Sequence, residues 1–131
     1  MLNSYLEKDG NKKPRLSYDE IKLQIALGTI PPEYIRAQVL DPEILDKLAN
    51  LPDDDVRYAV AVHPRVYLTT LLRLLNNPKS PQRLLIAIAA NRKMPIEELY
   101  KLAEHKNPMV KEEAKGVLFI RSKGHIDIQD D

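Results

Sequence analysis

The segment VRYAVAVHP, residues 56–64, is an apolar, alanine-rich stretch that ends abruptly at His63-Pro64. A closely similar segment, LLIAIAANRKMP, follows at residues 84–95 and ends at a second proline. A shift of 28 residues superimposes the apolar positions of both segments and of the stretches after them: Val56, Ala59, Ala61, Leu68, Leu71 and Leu74 fall on Leu84, Ala87, Ala89, Ile96, Leu99 and Leu102. A shared apolar register at such a spacing indicates a repeated structural unit.

The repeating unit is a helix of the pattern L-x-x-L-A, a short turn, and a helix of the pattern V-R-x-A-V-A. The two segments quoted above contain the second helix of this unit. A further copy of the whole unit is LYKLAEHKNPMVKEEAKGVL, residues 99–118. Small alanines allow helices to approach closely, and LLIAIAA is apolar nearly all round, as in a helix buried between two neighbouring units. The outer segments, residues 18–27 and 108–120, are more amphipathic, which suits the ends of a stack. The pattern predicts an all-α fold: a short α-solenoid of about three helical repeats with capping helices.

Prolines and capping residues divide the chain into short helices. Asp41-Pro42, Ser80-Pro81 and Asn107-Pro108 each place a capping side chain before a proline suited to the first helical position. SYDE, residues 17–20, is a capping box, and Gly28 is placed to end the helix that follows it. The predicted helices lie near 17–27, 32–39, 42–50, 54–62, 67–76, 81–90, 95–105 and 108–120. The predicted organisation is a flexible segment at 1–14, a helical-repeat domain at 15–121 and a flexible tail at 122–131, of which HIDI is alternatively a short extended arm.

Composition narrows the class of protein further. The chain of 131 residues is 44% hydrophobic, with no Trp and one Phe, so aliphatic side chains must form the core. It has no cysteine, which excludes disulfides and thiolate metal sites. Its longest apolar run, residues 84–90, is far too short to span a membrane. Because the first residues also lack the apolar region of a signal peptide, the sequence predicts a cytoplasmic protein without a membrane segment.

The segment DDDVRYAVAVHP followed by LTTLLRLL resembles the variant leucine-rich repeat family, whose units read roughly Asp-x-x-Val-Arg-x-x-Val-Ala-x-x-Pro followed by Leu-x-x-Leu-Ala. The resemblance covers about residues 41–118. The second copy has Leu84-Leu85 where the family has Val-Arg, the third is degenerate, and the units are slightly longer than the family's norm. HEAT-like helical repeats therefore remain a rival assignment. Either resemblance implies a right-handed α-solenoid used chiefly for binding.

Three consecutive aspartates, Asp53, Asp54 and Asp55, lie beside Arg57 at the start of the first repeated helix. Carboxylates so close together could form a metal or catalytic centre. In helical repeats this spacing more often serves structure, with one Asp capping the helix and others pairing with arginines of the same or the neighbouring unit. We therefore predict a structural role.

No other motif points to catalysis, a cofactor or a metal. The three histidines, His63, His105 and His125, are far apart, and His63 lies at a helix end, where a cation would interact well with free carbonyls. The adjacent glutamates at 97–98 and 112–113 diverge around a helix and cannot easily share a proton. The sequence also has no nucleophile elbow, phosphate loop or dinucleotide fingerprint. We predict a protein that is not an enzyme and has no cofactor or metal.

Basic residues recur at equivalent repeat positions. Lys47, Arg73 and Lys101 lie between the two leucines of each L-x-x-L helix, and Arg65 and Lys93 lie at the turn after each alanine-rich helix. Stacked units would align these positions into two rows of positive charge, with Arg92 beside the second row. These rows contact either an acidic protein or nucleic acid phosphates, or they form a solvated polar face. Exposed tyrosines are common in binding surfaces. The candidate partner-binding residues are Arg65, Arg73, Arg92, Lys93, Lys101, Tyr67 and Tyr100.

The distribution of charge fits this hypothesis. Residues 31–55 carry two basic and seven acidic side chains, whereas residues 56–101 carry eight basic and two acidic ones. The function predicted from the sequence is a non-catalytic adaptor or regulatory module that binds another protein, as a monomer or a homodimer. The alternative is a nucleic-acid-binding helical-repeat protein that uses the basic row.

Overall fold

The computed structural model describes residues 16–38 and 40–129, and within them the chain is all-α, as predicted. Eight helices and no strand are present in this described part. Their bounds are α1 Tyr18–Leu27, α2 Glu33–Ala37, α3 Pro42–Leu48, α4 Asp54–Ala61, α5 Leu68–Leu75, α6 Gln82–Ala90, α7 Ile96–Leu102 and α8 Pro108–Gln129. All eight predicted helices are confirmed, and most of their ends lie within two residues of the prediction.

The last helix is longer than the sequence predicted. It continues to Gln129, past the predicted end near residue 120 and through positions 122–129 of the predicted tail. After Pro108 no further proline interrupts the chain, and the glycines at 116 and 124 weaken a helix without ending it. The short extended arm predicted for HIDI is therefore wrong. The predicted flexible segment at 1–14 and the last two positions lie outside the described residues.

Capping residues start and end several helices in the predicted manner. Ser17 and Glu20 form a complete capping box at the start of α1, and Gly28 ends that helix in the left-handed conformation with φ of 74°. The Asn107 side chain accepts hydrogen bonds from the backbone N–H groups of Met109 and Val110 and so caps α8. These three caps depend only on neighbouring residues, which explains why the sequence reveals them.

Two of the three predicted proline-linked caps are wrong. The Asp41 side chain does not cap α3, although the residue occupies the N-cap position. The residue at the N-cap of α6 is Pro81, and the Ser80 hydroxyl instead donates a hydrogen bond of 2.6 Å to the carbonyl of Leu74 at the end of α5. The Leu74 carbonyl also accepts from the backbone N–H of Asn77 at 3.3 Å, so Ser80 adds a second bond to the end of α5 instead of capping the next helix.

The aspartates before α4 have the predicted structural role. Asp53 caps the helix by accepting from the N–H groups of Asp55 and Val56, at 2.9 and 3.2 Å. Asp54 pairs with Arg57 of the same helix at 3.6 Å, whereas Asp55 pairs with Arg83 of α6 at 3.3 Å. An ion pair therefore links the start of α4 to the start of α6.

Helix packing follows the order of the chain. The main contacts join each helix to its sequence neighbour or to the next helix but one, and α2, α4, α6 and α8 form a continuous row of such contacts. We call α2, α4, α6 and α8 the even helices and the others the odd helices. Buried aliphatic side chains from all eight helices form one core, which includes Ile21, Ile35, Leu45, Val60, Leu71, Ile88, Leu99 and Val110. Among the described residues, no helix has the length and the apolar content needed to cross a membrane.

A series of hydrogen bonds links the C-terminal ends of the even helices. His63 Nε2 lies 2.7 Å from the carbonyl of Gln38 after α2, and Asn91 Nδ2 donates to the carbonyl of Ala61 in α4 at 2.8 Å. The Arg121 guanidinium of α8 donates to the carbonyl of Asn91 at 3.0 Å. We call His63, Asn91 and Arg121 the ladder residues. His63 and Asn91 hold the turns after α4 and α6 against the preceding even helix, and Arg121, within α8, donates to the turn after α6.

Candidate binding groove

A groove of about 760 Å³ opens between α4 and α6. Its floor consists of four apolar residues, Ala61, Ile86, Ala87 and Ala90. Because three of them are alanines, little side-chain volume fills the space between the two helices. We call this the α4–α6 groove, and its volume lies within the range of about 300–1,000 Å³ that is common for ligand sites.

The groove explains why α6 is more apolar than its burial requires. The sequence predicted that LLIAIAA is buried on all sides, but only Leu84, Ile88 and Ala89 are fully buried. Ala87 is half-buried, and Ala90 is exposed at the groove. The prediction of burial all round is therefore wrong, because the excess apolar surface of α6 faces this open space.

Three cations and no carboxylate belong to the described residues that line the groove: Arg83, Arg92 and Lys93. The Arg83 guanidinium lies 3.9 Å from the centre of the Tyr58 ring and also contacts the Asp55 carboxylate, which lies outside the groove. All three cations are exposed, and Arg92 and Lys93, unlike Arg83, pair with no carboxylate of the described residues, so their charges are available to a ligand. The rim of the groove is thus basic, and its floor is apolar.

Lys93 and Arg92 extend from a turn whose backbone is held in place. The Lys93 ammonium donates to the carbonyl of Pro64 at 2.6 Å, and the backbone N–H of Lys93 donates to the Asn91 side chain at 2.8 Å. The carbonyl of Arg92 accepts from Arg121 at 2.9 Å. The basic end of the groove is therefore connected to α8 and to the turn after α4.

His63 borders the groove but is only 1% exposed. Its Nδ1 atom accepts from the N–H of Arg65 at 3.1 Å, so Nε2 carries the proton that is donated to the Gln38 carbonyl. Burial lowers the pKa of His63, and the nearby charges of Arg65 and Lys93 lower it further, against the opposing effect of the Gln38 carbonyl. His63 is therefore a neutral residue that positions a turn. The expectation of a cation stabilising the helix end is wrong, because the buried site disfavours the charge.

The first predicted row of basic residues is largely compensated within the fold. Arg73 contacts Asp46 at 2.7 Å and Asn50 at 3.1 Å, and Lys101 lies 3.5 Å from Glu98. The pKa of Asp46 is lowered, mainly by a hydrogen bond from the buried Thr70 hydroxyl and also by Arg73. Arg73 and Lys101 belong to odd helices and do not line the α4–α6 groove.

The second predicted row lies at the groove. Arg92 and Lys93 line it, and Arg65 is an exposed residue next to the lining residue Pro64. Tyr67 and Tyr100 are 43% and 63% exposed but do not line the groove. The structure thus brings together Arg92, Lys93 and Arg65, and separates them from Arg73, Lys101 and both tyrosines.

Sequence reasoning did not identify Arg83 or the alanine floor as parts of a site. The excess of apolar surface on residues 84–90 was the one available signal. Arg83 has no basic counterpart at the equivalent position 28 residues earlier, where Asp55 occurs, so a search for repeated charges overlooks it. The described residues contain no cluster of three or more potential metal ligands.

No protein family, curated protein or solved structure matches this chain. The resemblance to variant leucine-rich repeats therefore stays a prediction, and the function must be argued from the groove itself.

Proposed function

We propose that this chain is a non-catalytic protein-binding module, built as a short right-handed α-solenoid of about three helical repeats with capping helices. Two observations support the solenoid arrangement. The main helix contacts follow chain order, as expected for stacked units that touch only their neighbours. The ladder residues His63 and Asn91, which are 28 positions apart, make the same kind of link to the preceding even helix.

The α4–α6 groove is the observation that carries the binding function. The half-buried Ala87 and the exposed Ala90 leave apolar surface in contact with water beside three cations. Apolar surface rimmed by polar groups is typical of binding sites. Because the ladder hydrogen bonds hold both walls, a ligand would meet a largely preformed surface. Binding to such a surface loses little conformational entropy, which favours affinity.

Nucleic acid binding is less well supported by the same geometry. Single-stranded nucleic acids are usually held by stacking of bases on aromatic rings and by a long basic track. Two aromatic rings belong to the described lining residues: the Tyr58 ring is already contacted by Arg83, and the His63 ring is buried. The other predicted track residues, Arg73 and Lys101, are paired with acids. We therefore favour a protein segment as the ligand.

The proposal is tested by selecting random peptides of about a dozen residues, displayed on phage, against the immobilised full-length chain. Ala90→Trp fills the groove from an exposed position, so the fold is retained while binding is lost. Ala26→Trp, at an exposed position of α1, is the matched control and should bind the selected peptides like the wild type. We expect A90W to weaken binding by at least about tenfold, or about 1.4 kcal/mol. Enrichment that is equal on the wild type and on A90W, or absent from both, would show that the groove is not a protein-binding site.

A further inference from the structure

We infer that the ligand of the α4–α6 groove is an acidic peptide segment in which an aliphatic side chain lies beside a carboxylate. This inference rests on the proposed function and specifies its ligand. The described residues that line the groove carry positive charge without any carboxylate, although the chain as a whole has a net charge of only +1. The local excess of positive charge therefore belongs to this surface and selects for negative charge in a partner.

The geometry of the rim favours a carboxylate near Lys93. An ammonium group has three donors, and Lys93 uses one of them for the carbonyl of Pro64 at 2.6 Å. This bond holds the ammonium between the turns that follow α4 and α6, with donors left for an incoming oxygen. Arg92 lies next to it on a turn that Arg121 holds through backbone carbonyls. A ligand carboxylate would thus meet the Lys93 ammonium in a position that is set before binding, with Arg92 beside it.

The floor of the groove selects an aliphatic neighbour for that carboxylate. Ala87 and Ala90 leave a shallow apolar surface flanked by the half-buried Ile86, whereas the lining residue Ala61 is fully buried. A Leu, Ile or Val side chain placed there would remove its own apolar area and that of the floor from water, at about 25 cal/mol per Å². Arg83 already occupies the face of Tyr58, so the groove offers no uncovered ring for an aromatic base.

The charge of the surface changes from positive to balanced at the Tyr58–Arg83 pair, which limits where an acidic ligand can lie. A smaller cleft of about 180 Å³ beside the groove shares Tyr58 and Arg83 with it. Glu33 and Asp55 line this second cleft together with Arg36 and Arg83, so its positive and negative charges are equal in number. Positive charge without a carboxylate lies at the Arg92–Lys93 end of the groove, which directs the ligand's negative charge there.

The test uses the peptides selected on phage with the wild-type chain and measures their affinities by fluorescence polarisation. We expect enrichment of sequences with Asp or Glu next to Leu, Ile or Val. The double reversal R92E/K93E should raise the Kd of these peptides by at least about tenfold, and the effect should shrink at high salt. The matched control is K79E/K106E, which changes the net charge equally at exposed lysines outside the groove and should alter the Kd by less than about twofold.

The outcomes separate this inference from the proposed function. Peptides that depend on Ala90 but carry no excess of acidic residues would overturn the inference and leave the protein-binding function standing. Acidic peptides that bind R92E/K93E and the wild type equally would also overturn it. A mobility shift with single- or double-stranded oligonucleotides at low salt, tighter than any selected peptide and lost in R92E/K93E, would identify nucleic acid as the ligand and refute both proposals.

Discussion

His63 and Asn91 end two even helices in chemically equivalent ways. The Nδ1 atom of His63 and the Oδ1 atom of Asn91 both accept the backbone N–H of the residue two positions later. The Nε2 atom of His63 and the Nδ2 atom of Asn91 both contact a carbonyl of the preceding even helix. A neutral imidazole and an amide therefore perform the same structural task at equivalent positions of the repeat. His63 alone adds sensitivity to pH.

Protonation of His63 should destabilise the fold. The pKa of His63 in the folded chain lies below its ordinary value of 6.5, so the unfolded chain binds more protons as the pH falls below that value. The stabilising contribution of neutral His63 is present above about pH 6.5 and is lost as the pH falls toward the folded pKa. A proton on Nδ1 would also oppose the N–H of Arg65, and the charge would lie near Lys93.

The measurement is the free energy of unfolding by urea at several pH values between about 8 and 5. The His63→Asn variant keeps an acceptor for the N–H of Arg65 but cannot titrate, so its stability should fall less steeply than that of the wild type over this interval. It should also be less stable than the wild type at pH 8, by about 1–2 kcal/mol, because Asn is too short to reach the Gln38 carbonyl. Identical slopes for both proteins would show that His63 does not titrate during unfolding.

At the ends of individual helices, some side-chain hydrogen bonds are made to near neighbours in the chain and others to residues further away. Ser17, Asp53 and Asn107 cap helices within three residues of themselves, and the sequence predicts all three. Ser80 fits the same local pattern but instead donates to Leu74, six residues earlier. A capping residue before a proline thus has two competing partners, and the position of the preceding helix decides between them.

At the scale of elements, α8 does more than close the end of the fold. It packs on both α6 and α7, and its Arg121 donates to carbonyls of Met94, Asn91 and Arg92 in the turn that carries the basic end of the groove. The contact between Arg121 and this turn spans almost 30 residues of chain. The final helix therefore contributes to the shape of the α4–α6 groove without lining it.

Replacing Arg121 by Met should loosen this turn. Met retains an apolar stem of similar length but removes the donors to three backbone carbonyls, at a cost of about 1–3 kcal/mol in the free energy of unfolding. Binding of the selected peptides should weaken in parallel, because Arg92 and Lys93 lose their support. The control on the same helix is Lys115→Met, which removes an exposed pair with Glu112 at 3.8 Å and should cost less than about 1 kcal/mol. Equal losses for R121M and K115M would contradict a supporting role for Arg121.

At the scale of the whole molecule, the proposed solenoid predicts that each unit makes similar contacts with the unit before it. Hydrogen bonds and ion pairs between residues 23–30 positions apart recur along the described chain, including Thr70 with Asp46 and Arg83 with Asp55. Such contacts join each unit to the one before it. Stability should then depend on nearest neighbours more than on closure of the complete structure.

Deletion of one complete unit tests this claim. Removal of residues 56–83 joins Asp55 directly to Leu84, which occupies the repeat position of Val56. If the units stack as proposed, α6 should take the place of α4 against α2 and α3. The shortened chain should then unfold in one cooperative transition, with a circular dichroism signal that is reduced in proportion to its length. Non-cooperative melting, or binding of a hydrophobic dye by the shortened chain, would instead indicate a bundle that cannot lose a unit.

A matched deletion provides the control for this experiment. Removal of residues 63–90 has the same length and joins Val62 directly to Asn91, which occupies the repeat position of His63. It leaves Asn91 at the end of α4, where its Oδ1 atom can accept the backbone N–H two positions later as His63 does, but without the link to the Gln38 carbonyl. Both deletions should give folded chains if register alone matters, whereas a deletion a few residues longer, which breaks the register, should not.

The sequence by itself determined the eight helices and several of their caps. These features follow from apolar spacing, prolines and side chains that bond within a few residues, so they are local properties of the sequence. The structural role of Asp53, Asp54 and Asp55 was also predictable, since a capping acid beside an arginine has few other uses in a helical unit.

Only the tertiary structure decided which repeated residues are available to a partner. Arg73 and Lys93 look alike in the repeat, yet Arg73 is paired with Asp46 whereas Lys93 lies at the rim of an open groove. Their difference depends on side chains about 30 residues away and on the space left open between α4 and α6, which is set by how closely the two helices approach. Charge compensation and surface shape are properties of packed helices, so they were decided only when the helices came together.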